Sequence, residues 1–174
     1  MKNRENRKQL LSWLSVAAWM AVIFLFSAQN DSQSGDTSGA VVRWFLACIY
    51  RGFEEFSPQH QQELLDFWHI IIRKCAHFTE FGVLAMLSAN ALRLCGKLRW
   101  FLPVVISAAY AVTDEIHQYF VPGRACRLLD VGIDTCGAVF GTALFALGFF
   151  YLSKRAQKRQ AINRDGKCVC AEKP

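Results

Sequence analysis

Apolar residues gather in four long stretches of this chain, with polar residues collected between them. Leu10–Ala28, Lys74–Leu94, Leu98–Phe120 and Leu129–Leu152 each hold about 19 to 25 residues. Each is enough to cross ~30 Å of hydrocarbon as an α-helix. His77 and Glu80 interrupt the second stretch. The first is long for the apolar region of a signal peptide. Phe26-Ser27-Ala28 is also a poor cleavage site, because Phe26 stands where a small residue is wanted. The first stretch therefore predicts a retained membrane helix. Between the first two stretches, Val41, Val42, Phe45, Leu46, Ile49, Tyr50 and Phe53 recur at i, i+1, i+4, i+5, which is one apolar helical face. That segment is too short and too charged to span. It predicts an interfacial helix on the outer leaflet, placed to roof the polar groups below it. Ser57-Pro58 then supplies an N-cap and a first-turn proline for a fresh helix. Unbroken, that helix runs to Leu94, roughly 55 Å at helical rise. Its first part is expected outside the membrane or at its surface, with a bend near Ile70–Cys75.

The exceptions to this pattern are the chemistry. Thr113-Asp114-Glu115-Ile116-His117-Gln118 closes the third apolar helix, Val121-Pro122-Gly123-Arg124 turns back, and the fourth helix opens with Asp130 and Asp134. A carboxylate near the bilayer centre costs about 2.5–3.5 kcal/mol on insertion scales, so chains rarely carry one without a role. Asp114, His117 and Gln118 lie at i, i+3 and i+4 and share a helical face. Lys74 and His77 share another, with Glu80 a further step along, and Asp130 and Asp134 stack one turn apart. Glu115 points about a hundred degrees away from Asp114, so the two acids should have different partners. Gly137 and Gly141 form a GxxxG preceded by Gly132, which lets a neighbouring helix come close, here within one monomer.

Composition and charge then orient the chain. It has 174 residues, 53% of them apolar, a mean hydropathy of +0.17 and a net charge of +6. Of its 20 Lys and Arg, four lie in the N-terminal tail, three follow the second helix and seven lie in the C-terminal tail, fourteen in all on one side. The positive-inside rule makes that side cytoplasmic, with four crossings and both termini inside. The polar ends of all four helices then meet in the outer leaflet: Ser27, Gln29 and Asn30 on the first, Arg73, Lys74, His77 and Glu80 on the second, Asp114 to Gln118 on the third, Asp130 and Asp134 on the fourth. The asymmetry explains the net charge, and nucleic acid is not needed as a partner. The seven cysteines include no CxxC pair, and Cys48 and Cys126, both outside, are not paired by spacing alone. The Cys168-Val169-Cys170 tail reads as a bystander. No P-loop, glycine-rich nucleotide loop or nucleophile elbow is present.

The ordered set Phe26-Ser27-Ala28-Gln29, Arg73-Lys74-Cys75-Ala76-His77-Phe78-Thr79-Glu80-Phe81, Asp114-Glu115-Ile116-His117-Gln118, Val121-Pro122-Gly123-Arg124 and Asp130-Val131 with Gly137 resembles the VanZ-like family over about residues 10–152. Ala28 stands where that family often has a second serine, and Phe81 where it often has tyrosine; neither change touches an ionisable group. The resemblance implies a small bacterial envelope protein, and the family's namesake is associated with resistance to teicoplanin. It names a family without naming a reaction.

The expected fold is all-α: an integral membrane four-helix bundle with helices at about 10–28, 74–94, 98–120 and 129–152, an extracytoplasmic segment at about 29–73 carrying the interfacial helix, and basic cytoplasmic tails at 1–9 and 153–174. The expected location is the bacterial cytoplasmic membrane. The leading function is binding of an anionic lipid-linked or other envelope molecule at the outer leaflet, with an effect on glycopeptide susceptibility. Lys74 and Arg124, with Arg73 or Arg127, would meet its phosphate. Glu80, Gln118, Asp130, Asp134, Ser27 and Gln29 would complete the binding set. The alternative is a membrane-embedded hydrolase or transferase acting on a lipid-linked substrate, in which Asp114, Glu115, His117 and His77 supply acid and base. No metal is assigned, although a divalent ion on Asp114, Asp130, Asp134 and a His would replace direct acid–base work. A proton-coupled carrier and a purely structural polar plug are the remaining classes. The partners are membrane lipids and a lipid-linked precursor; cofactors and oligomeric state stay open.

Overall fold

The structure, a computed structural model, describes residues 2–28, 42–122 and 127–171, with backbone only at residue 2 and from 161 onward. All regular structure among these residues is helical. Helix α1 is Lys2–Ser27, α2 covers residues 42–49, α3 is Pro58–Ala91, α4 is Leu102–Tyr119 and α5 is Leu128–Ala171. Short 3-10 turns at Phe53–Glu55 and Gly96–Trp100 precede α3 and α4.

Local chemistry sets these boundaries. The Ser57 hydroxyl accepts the His60 N–H at the start of α3, and Pro58 occupies the first turn, where its missing N–H leaves nothing unpaired. No proline follows until Pro103, so α3 runs uninterrupted for 34 residues. The second apolar stretch thus belongs to the helix that Ser57-Pro58 opens, as the sequence suggests. It is the C-terminal part of a helix about 50 Å long, and the expected bend near Ile70–Cys75 does not break it. Gly96, at φ 56, turns the chain after α3. Pro103 sits in the first turn of α4, which begins at Leu102 rather than Leu98. The residues just before it, Gly96–Trp100, form the tighter 3-10 turn instead.

Helix α3 is central and touches α1, α4 and α5. Its contact with α5 is backbone on backbone. A Cβ on Gly137 would stand 2.1 Å from the Phe78 carbonyl oxygen, and one on Gly141 2.2 Å from that of Gly82. The register pairs residue 78 with 137 and 82 with 141, so α3 and α5 run in the same direction, and the GxxxG is used inside the monomer. Helix α1 docks through side chains that reach across to carbonyls. Trp19 Nε1 donates to Glu80 O at 2.9 Å, and Tyr110 Oη to Met20 O at 2.6 Å. Val16, Ile23, Phe81, Leu84, Ala91 and Ala111 fill the space between the helices. A second cluster joins Val42, Leu46, Phe53 and Leu65. It shows that the apolar face of α2 lies on the first half of α3. That face is occupied there, by α3 residues that lead up to Lys74.

Beside this apolar core, the exterior is apolar as well and several polar groups are buried. Leu14, Leu25, Val112, Ile116, Leu144 and Leu147 are exposed, whereas Ser88, Ser107, Asp114, Glu115, Gln118, Asp134 and Thr142 are buried. Among the described residues two helices, Asn3–Ser27 and Leu128–Gln160, are long and apolar enough to cross a membrane. Only 17% and 22% of their apolar windows are buried, far less than the core helix of a soluble protein would be. Helices α3 and α4 carry the ionisable residues and fall outside that class.

Candidate functional site

Parallel α3 and α5 bring their polar residues into a ladder. One rung is an ion pair between Lys74 Nζ and Asp130 Oδ1. The next rung, one turn deeper, sets His77 Nδ1 3.8 Å from Asp134 Oδ1. The i, i+3 spacing on α3 meets the i, i+4 spacing on α5, so both rungs form on one seam. Accessibility falls steeply along it. The side chains of Lys74 and Asp130 are 34% and 24% exposed, and those of His77 and Asp134 are 16% and 1%. The outer rung is thus a mouth and the inner rung is largely enclosed.

Helix α4 closes the site from the third side. Gln118 Nε2 donates to Asp114 Oδ2 at 2.8 Å, which fixes that carboxylate and leaves its Oδ1 without a hydrogen bond among the described residues. Glu115 is also buried, and its Oε2 accepts the Arg127 N–H at 2.8 Å, so it ties the α4–α5 link. The two adjacent acids do have different partners. His117 turns toward α1 and stacks on Phe24, with ring centroids 4.3 Å apart. Asp134 has neither oxygen in a hydrogen bond among the described residues, yet it feels the charges of Asp114, Glu115, Asp130 and Glu80. A buried polar group without partners costs about 1–3 kcal/mol or more. The interior of the site is therefore acceptor-rich and complementary to hydrogen-bond donors, and the fixed cations lie toward the mouth.

The residues picked out by sequence fall into three groups. Lys74, His77, Asp114, Glu115, Gln118, Asp130 and Asp134 come together, with Glu80 inside electrostatic reach. His117 borders them through Phe24. Ser27 is buried, and its hydroxyl has no hydrogen bond among the described residues. Gln29 and Arg124 lie outside the described residues, as does Cys126. Among the described residues no three His, Cys, Asp or Glu are grouped to hold a metal ion. Sequence reading missed the supporting shell of Trp19, Tyr110, Phe24 and the Arg127 N–H. It also missed Ser107, two turns from Asp114 on the same face and buried. An i, i+7 search from each buried acid would have found that serine.

Fold and site together define an all-helical protein with an apolar exterior and a largely enclosed acid–histidine interior. A family model described as VanZ/LLP1 matches residues 12–151, a span that holds every side chain of the ladder. The chain belongs to the VanZ/LLP1 family, as the motifs suggest. No curated protein and no solved structure matches it.

Proposed function

We propose that this chain is a multi-pass protein of the bacterial cytoplasmic membrane with both termini cytoplasmic. In this reading its outer-leaflet site binds the head group of a phosphorylated envelope amphiphile, such as a lipid-linked precursor, and thereby alters glycopeptide susceptibility. The observation that carries this reading is Asp134, buried at 1% exposure with no hydrogen bond to either oxygen among the described residues. Together with Asp114 Oδ1 it offers acceptors for hydroxyl, amide or amine groups of a sugar or peptide head. Lys74 has three donors; Asp130 takes one, which leaves others for a phosphate at the mouth. Arg127 and Arg124 lie on the same side in sequence. The four-crossing arrangement is supported by the shared direction of α3 and α5, which leaves α4 to return between them, and by the basic tails. A second reading rests on the His77–Asp134 approach of 3.8 Å. A carboxylate beside an imidazole orients it as a general base, so the same site would suit a hydrolase or transferase acting on that amphiphile.

Two measurements test this. Cysteine labelling is expected to place Lys97 and both termini in the cytoplasm and Arg51 outside; external labelling of the C-terminus would put the ladder in the wrong leaflet and sink the reading. Asp114→Ala and Gln118→Ala are expected to reach wild-type membrane abundance while losing the shift in teicoplanin susceptibility that the wild-type chain confers over empty vector. Loss of the shift only in step with loss of folded protein would return the site to a structural plug, since breaking a buried pair costs about 3–5 kcal/mol.

A further inference from the structure

The glycines that bring α3 and α5 together leave a cleft on the lipid-facing flank of their seam. Gly82 and Gly141 form its floor, because neither has a side chain to fill the space. Val83, Met86 and Leu144 wall it, and the Phe78 and Phe140 rings, 5.6 Å apart, form its upper rim. Its volume is about 120 Å³. The one hydroxyl in its lining, that of Thr79, is turned back onto Cys75 O at 2.7 Å, so the cleft offers a ligand almost nothing polar.

Position gives this cleft a meaning. Lys74 lies eight residues before Gly82 on the same helix, about 12 Å along its axis. The outer rung of the ladder is thus level with a lipid head group when the cleft is level with the middle of its chain. We infer that the α3–α5 cleft seats one hydrocarbon chain of the amphiphile whose phosphate meets Lys74, so that the site selects a phosphate carried on a single long chain. This inference rests on the head-group reading given above. Charge at the mouth and apolar surface below it match the head and the chain of such a molecule. A helix from a second copy fits poorly, because the GxxxG face it would need is already covered by α3.

The test uses the full-length protein in phosphatidylcholine vesicles with two photoreactive probes, hexadecyl phosphate and hexadecanol, each with a diazirine on the chain. Adducts are mapped by peptide mass spectrometry. The expected result is hexadecyl phosphate adducts concentrated on 82–86 and 140–144, at least fivefold above those on the exposed α1 residues Leu11, Leu14 and Leu25. Leu144→Trp, which fills the cleft, should remove that enrichment for both probes, whereas Leu147→Trp, outside it, should not. Lys74→Met should lower labelling by hexadecyl phosphate and leave hexadecanol unchanged. Adducts spread evenly over all lipid-facing helices would overturn the cleft. Enrichment in the cleft that ignores both the phosphate and Lys74→Met would uphold the cleft and overturn the head-group reading. Retained folding of each variant is checked by its elution in size-exclusion chromatography.

Discussion

Gly137→Leu and Gly141→Leu are expected to abolish the folded protein, with a loss well above ~3 kcal/mol for either change. Ordinary over-packing costs about 1–3 kcal/mol because a neighbouring side chain gives way. No side chain can give way here. The added Cβ would meet main-chain carbonyl oxygens at 2.1 and 2.2 Å, and those oxygens belong to a continuous helix. The helices must separate, and the separation carries with it both rungs of the ladder, which lie on the same seam. The glycines should rank by geometry. Gly82→Ala brings its Cβ to 3.1 Å from Gly137 O, tight enough to need a shift of a few tenths of an ångström, and should cost less. Gly132→Ala and Gly148→Ala meet nothing within 4 Å and should be neutral or slightly stabilising, since alanine is the better helix former by about 1 kcal/mol. Thermal unfolding of the detergent-solubilised variants reads this order directly. A Gly141→Leu protein that melts with the wild type would mean that α3 and α5 do not touch as described.

That seam also shows how far the sequence could be read. The GxxxG, the shared face of Lys74 and His77, and the stacking of Asp130 on Asp134 all follow from helical period, because period alone decides which residues leave a helix together. Which helix receives them does not follow from period. The parallel register of α3 and α5 was legible only indirectly, through the basic residues that set the direction of each crossing. Boundaries were harder. Apolar content alone marks only Lys74–Leu94, whereas the Ser57 N-cap, Pro58 and the lack of any breaker after them already point to the longer helix that forms, Pro58–Ala91. A hydropathy window sees where lipid could lie and is blind to where hydrogen bonding continues beyond it. The periodicity of α2 was also clear, but an amphipathic face only says that something apolar covers it. Leu64, Leu65 and Trp68 of α3 provide that cover, and their own apolar spacing sat in a segment read as a surface extension. Side-chain support such as Trp19 to Glu80 O and Phe24 on His117 depends on the angle of α1 against the bundle, which no local pattern encodes.

Asp134→Asn is expected to stabilise the protein while removing its function. The native carboxylate is 1% exposed, has no hydrogen bond among the described residues, and sits within reach of the charges of Asp114, Glu115, Asp130 and Glu80. Among the described residues His77, at 3.8 Å, is the cationic candidate in contact with it. A carboxyl group cut off from water among like charges is held at a cost unless its partners fully compensate. Asparagine keeps the shape, removes the repulsion and adds two N–H donors in a place rich in acceptors, including Asp114 Oδ1. The expected result is a raised melting temperature, by about 2–4 °C for each kcal/mol gained in a chain of this size. Sites held for function are commonly held at the expense of stability, so the sign of this change separates the two accounts of the ladder. A polar plug needs Asp134 as a partner for His77, and removing it should then loosen the bundle by about 3–5 kcal/mol. A ligand site needs the bare oxygens, and removing one should tighten the bundle and silence it. Melting temperature and the teicoplanin shift, measured on the same Asp134→Asn preparation, distinguish these outcomes; a destabilised protein would withdraw the buried carboxylate as the basis of the binding site.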